Sequence, residues 1–430
     1  MNEAERLVAG DPTLFVGSTA SGALGWLHHP DAYGGPWLTA TASRLPRRHD
    51  RALLVGMGGS SSPARMLSRT ASLSVLDTSN PDTIAATDFS GATLIVASKS
   101  GTTIEVQTLM AHALVNGVEP EDLVVITDPG TPLAALGEWL EATMVLADPE
   151  TGGRFSALSP FGLVPALYGG WSLDELAELQ EANRLGADVV ERARARAAAV
   201  EIAGGVGHVD VGGDPAVDGT ALWLEQLVAE TTGKDGRGIV PVSGPGPGPG
   251  PSQIMELHLA AAWLARRLGV DPFNQPDVER AKRDVFERLT PEARARTAPV
   301  AGLASLEVVL RHPGYRTVQV YGPLSAGALL APLRAAIQAR YGLTTANLGP
   351  RYLHSTGQLH KGGPAVGVVQ VVVRPTSAPR RIQGRGYTFH DLHQAQADAD
   401  LAALVGAGRA VTRIIVDTLD EVIAQVAALA

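Results

Sequence analysis

The chain contains no cysteine. That excludes disulfides, thiolate nucleophiles and cysteine-held zinc or iron–sulfur centres. Lysine is scarce: Lys99, Lys234, Lys282 and Lys361 are the only four among 35 Lys and Arg residues. The two side chains differ in proton chemistry, so a lysine kept in so arginine-rich a chain marks a position to test. No run approaches the ~20 apolar residues of a membrane span. The N-terminal MNEAERLVAG lacks the basic and apolar segments of an export signal. Positive charge is in deficit. A net charge of −9 argues against general binding to nucleic acid or to anionic membranes. The expectation is a soluble, cytoplasmic protein. Core-forming residues are plentiful: of 430 residues, 45% are hydrophobic and 18% charged. Such a chain folds as two or three domains rather than staying disordered.

The first half alternates short apolar runs with helical patterns. Residues 52–56, 73–76, 93–97, 123–127 and 143–146 read as strands, with helices over 104–115 and 132–140. Continuously apolar strands between helices indicate a parallel sheet covered on both faces. A helical region follows from about 172 to 200. The second half repeats the theme, with strands at 316–321, 366–373 and 412–416, a helix over 326–340 and a C-terminal helix. The predicted class is α/β, as two α/β/α lobes with mostly parallel sheets, the first over 1–200 and the second over 201–430. The Gly-Pro alternation of 244–251 reads as an extended loop.

Two loops carry a chemical signal. Gly56-Met57-Gly58-Gly59-Ser60-Ser61-Ser62-Pro63 follows one strand, and Ser98-Lys99-Ser100-Gly101-Thr102-Thr103 follows another. Glycines let a backbone approach an anion, while amides and hydroxyls at a helix start donate to it. Gly58, Gly59, Ser60, Ser98, Lys99, Ser100, Thr102 and Thr103 are therefore candidate phosphate contacts. A tight turn and ordinary helix capping are the alternatives. Neither loop is a Walker A or dinucleotide motif. His390 and His393 have metal-compatible spacing but no clear third ligand, and read instead as a solvated helix start.

The loop pair resembles the sugar isomerase (SIS-type) domains, and more narrowly the glucose-6-phosphate isomerase family. Further segments share that resemblance: Gly152-Gly153-Arg154-Phe155-Ser156, the run from Gln226 to Lys234, the run from Asp271 to Glu279, and Gly357-Gln358-Leu359-His360-Lys361-Gly362-Gly363-Pro364. The last is similar to the isomerase portion of bacterial transaldolase fusions. The matches run in order from about 52 to 375. The resemblance implies two SIS-type lobes, a phosphosugar substrate, a homodimer and no metal or redox cofactor.

Aldose–ketose isomerisation needs ring opening, a carboxylate to move a proton between C1 and C2, and a cation or aimed donors for the enediolate. The resemblance assigns proton transfer to Glu230, the enediolate to Arg154, and substrate or phosphate contact to Gln226. The plain alternative for Glu230 is a surface helix glutamate. Ring opening or sugar-hydroxyl binding falls jointly to His360 and Lys361, with His354 and His258 as alternatives. The family order of this segment differs here, and Asn274, Thr231 and His258 depart from its residue types. A phosphomannose specificity or a non-catalytic phosphosugar-binding protein are the other readings.

Overall fold

The computed structural model describes residues 3–17, 23–294 and 302–429. The side chains of Glu279 and Lys282, both noted in the sequence, lie outside the described residues.

The first half builds a parallel sheet from β1 (Ala52–Gly56), β2 (Leu73–Leu76), β3 (Thr93–Ala97), β4 (Leu123–Thr127) and β5 (Thr143–Leu146). Their spatial order is β2-β1-β3-β4-β5. β1, β3 and β4 are buried along their whole length, as their unbroken apolar sequences require. Side chains alternate between the two faces. Leu54, Ile95, Val124 and Ile126 face a core shared with helices Gly219–Thr232 and Ile254–Leu268. Leu53, Val55, Leu94, Val96 and Val125 face helix Ile104–Leu114 together with Phe389, Leu392, Ala395 and Ala399.

β6 (Ile202–Ala203), β7 (Val206–Asp210) and β8 (Gly238–Val242) form a small mixed sheet that the sequence did not signal. A second parallel sheet combines β9 (Tyr315–Tyr321), β10 (Thr344–Gly349), β11 (Val366–Val373) and β12 (Ala410–Val416) in the order β10-β9-β11-β12. Helices Leu330–Tyr341 and Leu419–Ala428 cover one of its faces. The α/β class with two parallel sheets flanked by helices is thus observed.

Helix Phe389–Gly406 joins the two sheets. Its first half packs under the first sheet, and Leu401 and Leu404 pack on Val366, Val368 and Val411 of the second. Helix Gly219–Thr232 crosses in the other direction, toward the first sheet's core. The two halves of the chain therefore interleave, and the division at 200/201 is kept as a proposal. Helix Gly219–Thr232 is buried from Ala221 to Thr232, so its polar residues Glu225, Gln226 and Glu230 are interior groups. No helix among the described residues is long and apolar enough to cross a membrane.

Candidate functional site

β1 and β3 are neighbours, with Gly56 in register with Ala97. The chain leaves β1 toward β2 on one side and reaches β3 on the other. Such a reversal opens a crevice at the C-terminal strand ends, where open α/β sheets bind ligands. Both candidate loops start at this crevice.

The loop after β1 is packed rather than open. Gly58 has φ +54°, and a Cβ there would lie 2.3 Å from the carbonyl oxygen of His354. A Cβ on Gly59 would lie 2.1 Å from that of Gly153. Only glycine permits both approaches. They bring the Arg154 turn (Gly153–Phe155) and the His354 turn (Arg351–His354) against one loop. Ser60 is buried within it, and Ser62 Oγ donates to Gln226 Oε1 at 2.7 Å.

Glu230 and Arg154 meet at this packed end. Arg154 Nη1 lies 3.5 Å from Glu230 Oε1, and both side chains are buried. Arg154 Nε and Nη2 donate to Pro272 O at 3.2 and 2.5 Å, and Nη2 also reaches Asn274 O at 3.1 Å. Burial weakens the guanidinium's hold on its proton, against the pull of Glu230 and Asp271. Gln226 stands one helical turn before Glu230. Its Nε2 donates to Glu230 Oε2 at 3.1 Å and to His354 O at 2.9 Å. It therefore orients the carboxylate and ties it to the His354 turn. Lys234 lies beneath, donating to Thr231 O at 2.9 Å and to Asp271 O. Burial, helped by Arg154, pulls its amine down to about 6.

The loop after β3 opens onto a cavity of about 290 Å³. Ser100, Thr102 and Thr103 line it, and Glu105, His354 and Asp400 face them. Ser98 lies behind, donating through Oγ to Thr103 Oγ1 at 3.1 Å. Lys99 turns the other way. Its Nζ binds the Asp128 carboxylate and the carbonyls of Asp148 and Pro149. Glu230 and Arg154 are not among the lining residues. The two parts are joined by Gln226, which bonds His354 O, and by residues 272–275, where Asn274 O meets Arg154 and Gln275 lines the cavity.

The ring-opening candidates separate sharply. His354 Nε2 lies 2.9 Å from Glu105 Oε1, which also accepts from Gln396 Nε2 at 2.6 Å. His360 is buried with its Nδ1 on Gln319 Nε2 at 2.9 Å, and burial with nearby Lys361 depresses its basicity strongly. Lys361 Nζ is paired with Asp400 Oδ1 at 2.5 Å, and Tyr352 OH donates to the same carboxylate. Lys361 thus stands behind a cavity-lining acid rather than on the wall. His258 is enclosed by Trp26, Phe155 and Trp223 with neither ring nitrogen partnered. His393 is buried on Ser79 Oγ while His390 bonds Ser377 O, so the pair diverges, and His393 is an interior residue rather than part of the expected solvated helix start.

Glu105, Gln396 and Asp400 were missed in the sequence. Glu105 looks like an ordinary first-turn helix acid. Asp400 sits in an alanine-rich helix, and nothing in the surrounding sequence marks its carboxylate as buried.

No family model matches the chain. Over 170 residues it is 34% identical to a glucose-6-phosphate isomerase of Rubrobacter xylanophilus, covering 35% of this chain and 38% of that protein. Over 225 residues it is 30% identical to a probable glucose-6-phosphate isomerase of Haloarcula marismortui, covering 47% and 51%. An Exiguobacterium sibiricum glucose-6-phosphate isomerase is 27% identical over 265 residues, covering 51% and 58%. The chain thus matches between about two fifths and three fifths of the length of these curated relatives. Among solved structures, a hypothetical protein of Thermus thermophilus aligns over 97% of this chain and 83% of its own, at TM-score 0.36 and 20% identity. A Chlamydia trachomatis glucose-6-phosphate isomerase aligns over 93% and 63%, at TM-score 0.32 and 15% identity. The sequence matches establish distant homology to glucose-6-phosphate isomerases.

Proposed function

We propose that the protein interconverts glucose 6-phosphate and fructose 6-phosphate, with Glu230 as the proton-transfer base. The observation that carries this reading is the buried Glu230–Arg154 pair, tied through Gln226 to the His354 turn that lines the hydroxyl-rich cavity. Ser100, Thr102 and Thr103 receive the phosphate. His354, held by Glu105, moves the proton that opens the ring, and Asp400 with Lys361 behind it binds sugar hydroxyls. Glu230 then takes the proton from one of C1 and C2 and returns it to the other. Arg154 stabilises the negative oxygen that develops between those steps, where a fixed cation in a dry site is most effective. The chemistry needs no redox cofactor, because one substrate carbon is oxidised as its neighbour is reduced, with only protons moving through Glu230. A homodimer in the cytoplasm is part of the same proposal.

The test is a coupled assay with EDTA present. Fructose 6-phosphate is supplied and glucose 6-phosphate is read through an NADP-linked dehydrogenase, for wild type and Glu230→Gln, with mannose 6-phosphate as second substrate. Turnover of fructose 6-phosphate that disappears in Glu230→Gln supports the reading. A folded wild type that binds fructose 6-phosphate without turning it over sinks it.

A further inference from the structure

Arg351 is a largely buried cation with no hydrogen-bond acceptor among the described residues. Only 7% of its side chain is exposed, and its single ion contact is Asp77 Oδ2 at 3.8 Å, beyond hydrogen-bond reach. That carboxylate is already taken. Its Oδ2 accepts from Arg65 Nε at 3.0 Å and its Oδ1 from Arg65 Nη2 at 2.8 Å. The other acids nearby are committed too. Asp214 is paired with Arg334 at 3.4 Å, Asp218 Oδ1 caps a helix through Ala221 N, and Glu225 accepts from Asn347. A guanidinium is costly to remove from water unless its N–H groups are satisfied. No described residue accepts from Arg351, and none of its nitrogens is among the enclosed polar atoms left without a partner, so its donors are open to the cavity it lines.

Arg351 and Arg65 together line a cavity of about 370 Å³, bounded by β2, the start of helix Gly219–Thr232 and Leu324. It shares no lining residue with the Ser100–Thr103 cavity. Its lining carries Arg65, Arg351 and Asp218, and Asp77, Asp214 and Arg334 stand around it, three cations against three acids. Net attraction is therefore not what the cavity offers. It offers a planar fork of unused donors, a shape that matches a carboxylate or phosphoryl group. We infer that this cavity is a second oxyanion site, in which Arg351 receives the phosphoryl or carboxylate group of a small metabolite. The inference rests on Arg351 and its surroundings and is independent of the isomerase proposal.

The experiment is calorimetric titration of the full chain with inorganic phosphate and, separately, with succinate. It is run in a Thr102→Val background, which weakens the hydroxyl-loop cavity so that the remaining binding reports the Arg351 cavity. Adding Arg351→Met should lower the remaining affinity about tenfold or more. Val217→Glu is the second variant, because Val217 lines the cavity and is 74% exposed, so the change leaves the buried cluster intact. A like charge there should weaken binding several-fold. Phosphate binding with these losses identifies a phosphoryl source, and succinate binding with the same losses a carboxylate source. Residual binding of either anion that neither variant alters, or no binding of either anion in the Thr102→Val chain, overturns the inference.

Discussion

Arg154 Nη1 lies 3.5 Å from Glu230 Oε1 while the rest of its guanidinium is held by the carbonyls of Pro272 and Asn274. The cation is locked in place by backbone oxygens and meets the carboxylate at its free edge. That division of contacts makes two variants informative. Glu230→Gln keeps the shape and removes the base, so kcat should fall by about 10²–10⁴-fold with binding of fructose 6-phosphate retained. Arg154→Lys keeps a charge but loses the planar fork and should cost about 10²-fold or more in kcat. Steady-state kinetics alongside substrate titration separate the two effects. A Glu230→Gln variant with near-normal kcat would remove Glu230 from the mechanism.

Ring opening can be read apart from isomerisation. If His354 opens the ring, His354→Asn should abolish enzyme-accelerated exchange between the anomers of glucose 6-phosphate, measured by NMR exchange spectroscopy. Glu230→Gln should leave that exchange intact, because no C–H bond breaks in it. Glu105→Gln should give an intermediate loss, since His354 keeps its ring but loses the acid that orients it. Exchange that survives His354→Asn and is lost in His360→Asn would move the role to His360.

The contrast between His354 and His360 shows where sequence reading stops. β1, β3, β4 and β11 were legible because a strand buried on both faces is apolar at every position. β10 was not, because Thr344-Thr345-Ala346-Asn347-Leu348-Gly349 has little apolar bulk and is buried by its neighbours. β7 was not, because Val206–Asp210 is partly exposed and carries a glycine and charge. The helical region expected over 172–200 breaks at residues 183–186, where Asn183 ends one helix and Gly186 starts the next. The two loops were legible because glycine and hydroxyl residues stand directly after apolar runs. The direction of Lys99 was not, because its partner Asp128 comes from the end of β4, and only the sheet order makes them neighbours. Asp400 and Gln396 reach the cavity because helix Phe389–Gly406 docks beneath the first sheet, a contact spanning almost 300 residues.

Glu225 makes a pH prediction. It is fully buried with both oxygens accepting from Asn347 Nδ2 at 2.9 Å, and burial raises its carboxyl from 4.5 to about 7. Between those values the folded chain holds a proton that the unfolded chain has released. The folded state is therefore favoured below pH 4.5, and this advantage is lost as pH rises to about 7. Glu225→Gln cannot ionise and should be more stable than wild type at pH 8, by about 1–3 kcal/mol. Asn347 Oδ1, buried without a partner, can accept from the new amide if the Asn347 side chain turns over. Urea unfolding at pH 5 and pH 8 checks it. A wild type to variant difference that is the same at both pH values contradicts the assignment.

His258 makes a prediction of opposite character, in which removing a polar group helps. The ring is fully buried, its centroid is 5.3 to 5.6 Å from those of Phe155, Trp26 and Trp223, and neither nitrogen has a partner. Burial drives its basicity down to about 3, so the ring is neutral throughout the working range. A buried donor and acceptor without partners cost about 1–3 kcal/mol, while an aromatic ring in the same box gains edge-to-face contacts. His258→Phe should therefore raise the unfolding free energy by about 1–2 kcal/mol after allowance for the slightly larger ring, and the unfolding midpoint with it. His258→Leu serves as the control, because it removes the polar atoms without adding ring contacts. Because Phe155 directly follows Arg154, turnover is measured alongside. Stabilisation with unchanged kcat makes His258 a core residue alone. A lower midpoint in both variants would show that the imidazole nitrogens are satisfied in solution, and would reverse the sign of this argument.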